Sequence, residues 1–168
     1  MIAKVSIIMG STSDLPVMEQ AANVLNDLQI PFEINALSAH RTPDEVESFA
    51  RSAREKGIQI IIAGAGMAAH LPGVIAAMTT LPVIGVPIKA SLDGMDALLS
   101  IVQMPPGIPV ATVGINGARN AGILAAQILA MSDEALHQRF TDFKESLKEK
   151  VVKANKDLKE VSFDYRIF

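Results

Sequence analysis

The chain is predicted to fold as an open α/β structure, with helices on both faces of one parallel sheet. Three observations predict it. Short apolar runs recur along the 168 residues, and segments of helical spacing separate them. The first three runs also end in loops rich in Gly, Ser, Thr or His.

The runs are Lys4–Met9, Phe32–Leu37, Gln59–Ala63, Val83–Val86 and Val110–Val113. They are β-branched and apolar on consecutive positions, the pattern of strands covered on both faces of a parallel sheet. After the first run, Val17, Ala21, Val24, Leu25 and Leu28 form a helical stripe, and Pro16 suits its opening turn. After the second, Thr42-Pro43-Asp44-Glu45 supplies a capping Thr, a proline at the first helical position and a Glu three residues after the cap. Val46, Phe49, Ala50 and Ala53 form that helix's stripe, and Gly57 is expected to stop it. Further helices are predicted over Leu71–Met78, Asp93–Val102 and Ala118–Met131, and from Asp133 onward. Right-handed crossovers between parallel strands make this an open doubly wound sheet. Such sheets bind ligands at the carboxyl ends of their strands, near the switch in strand order.

Composition narrows the function. Hydrophobic residues make up 49% and charged residues 20%, so a packed core is expected. A net charge of −3 with no dense Lys/Arg run argues against a nucleic-acid partner. Cysteine is absent, which excludes disulfides and thiolate metal sites and suits a reducing compartment. The first residues show neither a basic stretch nor a cleavage site, and no apolar segment is long enough to span a bilayer. The expected location is the cytoplasm. Mean hydropathy is +0.31, high for so short a chain. Burial of the apolar excess between identical subunits accounts for it most simply.

Residues 1–132 are expected to form the catalytic domain. Residues 133–168 then form a helix and tail, either part of that domain or docked on a neighbouring subunit. Five of the seven aromatic residues (Phe140, Phe143, Phe163, Tyr165 and Phe168) fall in this tail, and Leu136, Phe140, Phe143 and Leu147 recur at helical spacing. His137, amid Glu134, Gln138 and Arg139, reads as a solvated side chain.

Three loops could carry chemistry. Gly10-Ser11-Thr12-Ser13-Asp14 offers hydroxyls and helix N–H groups to a phosphate; alternatively, Ser13 or Asp14 simply caps the helix. In Ser38-Ala39-His40-Arg41-Thr42-Pro43, a proton-transferring His stands beside an Arg whose planar fork matches a phosphate. The alternative is a merely solvated loop. Gly64-Ala65-Gly66-Met67-Ala68-Ala69-His70 follows the third strand and matches a dinucleotide pattern in form only, because no acid stands about 20 residues on. It reads better as a close backbone approach to a flat ligand. His70 is then either a second site residue or the residue that opens a helix. No triphosphate loop, hydrolase elbow or metal-ligand spacing competes.

Read together, these loops resemble those of the class I N5-carboxyaminoimidazole ribonucleotide mutases. Ser100-Ile101-Val102-Gln103-Met104-Pro105 and the run Asn120–Leu129 match as well, and the resemblance extends from Lys4 to about Arg139. It implies a flavodoxin-like three-layer αβα sandwich, assembly into octamers, and a ribonucleotide substrate isomerised without metal or organic cofactor. It further implies that Ser11, Ser13 and Arg41 hold the phosphate and Asp14 the ribose hydroxyls. His40 would be the general acid/base. Ser38 belongs to the same loop, while Gly64, Ala65, Gly66 and His70 would line the pocket for the base and the migrating carbon dioxide. Arg41 after His40 favours class I over the related carboxylases that use free carbon dioxide. Two departures stand out. Met67 occupies a position where a small residue often follows Gly66, and the Lys89–Asp96 stretch is one residue short.

Overall fold

Full burial of an aliphatic side chain stabilises a fold by roughly 1.5–3 kcal/mol, so the chain's most continuous apolar runs decide where its centre lies. A computed structural model, describing residues 2–167, puts β1 (Val5–Met9), β3 (Ile60–Gly66) and β4 (Val83–Ile88) there. Val5, Ile7, Ile8, Ile61, Ile62, Ile84 and Val86 have no measurable exposure. The remaining strands are β2 (Phe32–Ala36) and the two-residue β5 (Ala111–Thr112). All pair in parallel, in the order β2-β1-β3-β4-β5. The chain leaves β1 towards β2 and returns on the other side as β3, so the switch in strand order lies between β1 and β3.

Two layers of helix cover the sheet. On one face α1 (Leu15–Asp27) packs closely with α5 (Ala118–Ala130) through small residues, among them Ala21, Ala118, Ala121 and Ala125. A Cβ on Gly122 would lie 3.0 Å from the Ala21 carbonyl oxygen, which is how near the two backbones come. On the other face, α2 (Pro43–Ser52), α3 (Leu71–Met78) and α4 (Met95–Val102) enclose Ile8, Ile61, Phe49, Ile75 and Ile101. The result is the three-layer αβα sandwich of the flavodoxin-like class.

Several expectations need correction. β2 is an edge strand rather than a doubly covered one: among the described residues it pairs with β1 alone, and Ile34 is 42% exposed, so the helix layers do not fully cover its faces. α2 ends at Ser52, and Gly57, at φ +92°, closes the turn that follows instead of capping the helix itself. The capping box at Thr42 is not made. That hydroxyl turns back to Ser38, accepting from its N–H at 3.0 Å and donating to its carbonyl at 3.2 Å. α4 starts two residues late, since Leu92 and Asp93 take left-handed φ in a short 3-10 turn.

The final helix, α6 (Glu134–Lys159), is capped by Asp133, whose carboxylate accepts from the Leu136 N–H and pairs with Lys4. Its first turns dock on the chain's own α1–α5 layer through Leu136, Phe140 and Phe143, and Arg139 donates to the Leu28 carbonyl at 2.9 Å. Phe163 and Tyr165 are exposed, and Phe168 lies outside the described residues. No described helix is long and apolar enough to cross a membrane.

Candidate active site

Because strands β1 to β4 run parallel, the loops after them gather on one rim, with the β1–β3 switch point at its centre. A cavity of about 430 Å³ opens there. Its lining brings together Ser11, Ser13 and Asp14 from the first loop, Ser38, His40 and Arg41 from the second, and Ala65, Gly66 and His70 from the third. A groove of similar size beside β2 presents Glu33, Asp44 and Glu45 with Lys56, a set that would repel a phosphate.

Hydrogen bonds tie the loops to one another. Arg41 donates from Nη2 to the Gly10 carbonyl at 2.7 Å, bridging the second loop to the first. Its Nε and backbone N–H both reach the Ser38 hydroxyl, at 3.3 and 3.2 Å. Thr42 closes the base of the same loop through its two bonds with Ser38. The hydroxyl that the capping pattern assigns to α2 instead holds the turn carrying His40 and Arg41.

His40 and His70 meet, although 30 residues separate them. His40 Nε2 lies 2.8 Å from His70 Nδ1, with the rings perpendicular. Only one hydrogen fits between two such nitrogens, so one ring donates and the other accepts. His70 also precedes α3, and its carbonyl accepts from the Val74 N–H at 2.9 Å. The two readings of His70 are therefore compatible: its backbone opens a helix while its ring faces the cavity. His137 is exposed on α6, as expected.

In the first loop neither Ser13 nor Asp14 caps α1 with its side chain. The Ser13 hydroxyl and N–H both turn to the Ser11 hydroxyl, at 3.0 and 3.3 Å. The Ser11 hydroxyl caps the short 3-10 turn Thr12–Asp14 by accepting from the Ser13 N–H, Asp14 stands at the N-cap position of α1 without a side-chain bond, and Ser11, Ser13 and Asp14 all line the cavity. Burial pushes the Asp14 carboxyl above the usual carboxylate range, partly offset by hydrogen bonds from Ser11 and Ser13 and by the Arg41 charge.

The floor is made of small residues. A Cβ on Gly66 would lie 3.2 Å from the Ile88 carbonyl oxygen and 3.3 Å from the Ala90 Cβ, so β3 ends tight against β4. Gly64 does not line the cavity. It is buried below, and a Cβ there would strike the Met18 sulfur at 2.4 Å; its smallness serves the packing of α1. Ala90, after β4, completes the floor and was not expected from the sequence. The only available signal was its position on the same rim. Among the described residues no three of His, Cys, Asp or Glu gather as metal ligands would.

The arrangement suits an anionic, flat ligand: a cation and hydroxyls for a charged group, a carboxylate for hydroxyls, a histidine pair for a proton, and Ala and Gly against a planar ring. Residues 4–150 match the protein family described as AIR carboxylase. The chain is 59% identical over 146 residues to the N5-carboxyaminoimidazole ribonucleotide mutase of Pyrococcus abyssi, covering 86% of this chain and 84% of that protein. It is 54% identical over 161 residues to the mutase of the same name from Thermotoga maritima, covering 95% and 94%. The crystal structure of Treponema denticola PurE has the same fold, with a TM-score of 0.85 at 30% identity over 93% of this chain and 98% of that one.

Proposed function

Because the chain belongs to the AIR carboxylase family, we propose that it is a mutase of purine biosynthesis, interconverting N5-carboxyaminoimidazole ribonucleotide and its C4-carboxylated isomer. The observation that carries this reading is the His40–His70 pair standing over an Ala/Gly floor, in the same cavity as Arg41 and the Ser11–Asp14 loop.

Those residues have natural tasks in such a transfer. Ser11, Ser13 and Arg41 hold the phosphate, and Ser38 fixes the Arg41 fork. Asp14 accepts from the ribose hydroxyls. His40 gives a proton to N5 as the bond from nitrogen to the carboxyl carbon breaks, releasing carbon dioxide beside a neutral amine. The C4 electron pair then forms the new carbon–carbon bond, and His40 takes the C4 proton, which restores the aromatic ring. One proton leaves and one returns, electrons move only in pairs, and the route needs no cofactor. The backbone of Ala65 and Gly66 leaves room for the ring, and exclusion of water keeps the carbon dioxide from escaping or hydrating.

The second reading, carboxylation of the uncarboxylated ribonucleotide by free carbon dioxide, takes its support from the family's own description. Conversion in isotopically labelled bicarbonate separates the two. Little label in the C4 carboxylate during early turnover is the expected result. Label entering as fast as product forms would overturn the mutase reading in favour of the carboxylase. A binding module without catalysis would show no turnover at all.

In this reading residues 1–132 supply the chemistry, and α6 extends the same domain through its first turns, which pack on the α1–α5 layer. Assembly as a homo-octamer fits the apolar surface of one helix: Leu92, Met95, Leu99 and Val102 are exposed along α4 and the turn before it. Sedimentation at micromolar concentration should give a particle near eight chains, and a stable monomer would contradict it. The enzyme acts in the cytoplasm, which fractionation of cells expressing it would check.

A further inference from the structure

Met67 is costly where it stands. Its φ of +53° falls in the left-handed region, where glycine is free and a side chain is strained. Its thioether chain is 60% exposed at the lip of the cavity, although the residue is apolar. Neither feature serves the stability of the fold, and strain of this kind persists where the surroundings fix it for another reason.

The surroundings do fix it. Gly66 before it is wedged against β4, and Ala69 beyond it is buried. The His70 N–H donates to the Ala68 carbonyl at 2.8 Å. The backbone at 67 is therefore held on both sides while the side chain stays free. Among the described residues that line the cavity, Met67 is also the one large apolar side chain that is exposed. Leu71, the other large apolar residue in the lining, is buried, and the rest of the apolar wall is Ala and Gly. A methionine side chain has three rotatable bonds and a polarisable sulfur that packs well on a flat ring.

We infer that Met67 is a specificity-determining cover: its side chain folds over the bound ribonucleotide and keeps water and dissolved carbon dioxide from the reacting carbons. This rests on the mutase reading above, and it assigns retention of the migrating carboxyl to a residue outside the proton-transfer pair. Met67 is in the lining of the cavity and 60% exposed, and folding its side chain over a bound ligand would bury that apolar surface.

Two measurements test it. The first is oxidation by dilute hydrogen peroxide, read by peptide mass spectrometry with and without 4-carboxy-5-aminoimidazole ribonucleotide. Met67 sulfoxide should form several-fold more slowly with the ribonucleotide bound, while Met131, 88% exposed at the end of α5, should be unaffected. The second compares the parent with Met67→Gly and Met67→Leu during conversion in labelled bicarbonate. Met67→Gly, which relieves the backbone strain, should melt no lower than the parent yet incorporate several-fold more label per turnover, and Met67→Leu should bring the label back down. Absence of protection, or unchanged label in Met67→Gly when the parent retains its carboxyl, overturns the cover. A parent that itself exchanges label freely overturns the mutase reading instead, and the oxidation result alone then decides whether Met67 closes.

Discussion

Replacing His40 with Asn is expected to leave the fold and the phosphate contacts intact while lowering turnover at least about 10²–10⁴-fold, the usual worth of a general acid/base. The side chain is exposed, and its partner is the His70 ring at 2.8 Å. Nothing structural depends on it, because Thr42 and Arg41 hold the loop through Ser38 and Gly10. Asn retains a hydrogen-bonding group of similar reach but cannot carry a proton. The loss should therefore fall on kcat, with the affinity for the ribonucleotide nearly unchanged. Turnover of the two carboxylated isomers, measured beside equilibrium binding of either one, checks this. Near-normal turnover would move the acid/base role to His70, the only other histidine at the cavity.

What the sequence disclosed follows from the range over which its signals act. Burial on both faces leaves a local mark, so the Ile and Val runs of β1, β3 and β4 were legible, and the rim rule then made the loops after them the places to inspect. In β2, Phe32, Ile34 and Ala36 alternate with Glu33 and Asn35, the period-two mark of a strand that is not covered on both faces, so its difference from the central strands is written in the sequence; its edge position is decided by where the other strands pair. Thr42 did mislead. A Thr before Pro, with Glu three residues after it, satisfies the capping pattern, but the same hydroxyl had a stronger claim from Ser38 four residues earlier. Gly64 and Gly66 look alike in sequence and, two residues apart on β3, face the same side of the sheet; Gly64 pairs with Met9 inside the ladder and lies against Met18, whereas Gly66 lies past the end of β1, at the cavity. The contact between His40 and His70, and the left-handed backbone of Met67, depend on how two loops meet in space; no local pattern encodes either.

The second large effect belongs to Arg41. Arg41→Ala should weaken ribonucleotide binding by about 1.5–3 kcal/mol, roughly ten- to a hundredfold, because a charge-assisted contact to phosphate is lost. Ser13→Ala removes one neutral hydroxyl, worth about 0.5–1.5 kcal/mol, and should cost less. Neither change should weaken binding of the ribonucleoside that lacks the phosphate by as much. Arg41 also acts on its neighbour. Burial holds the Asp14 carboxyl above its ordinary range, and the guanidinium is among the groups that restrain that rise. Taking away the positive charge should lift Asp14 further. Ribose hydroxyls need the carboxylate as acceptor, so binding is present above the folded pKa of Asp14 and lost as pH falls through it. The acid limb of binding should therefore lie at higher pH in Arg41→Ala than in the parent, and at unchanged pH in Ser48→Ala, remote from the cavity. Titrating affinity for ribonucleotide and ribonucleoside across the acid range reads both effects. Equal losses for the two ligands would mean that Arg41 does not touch the phosphate, and an acid limb that stays in place would mean that its charge does not reach Asp14.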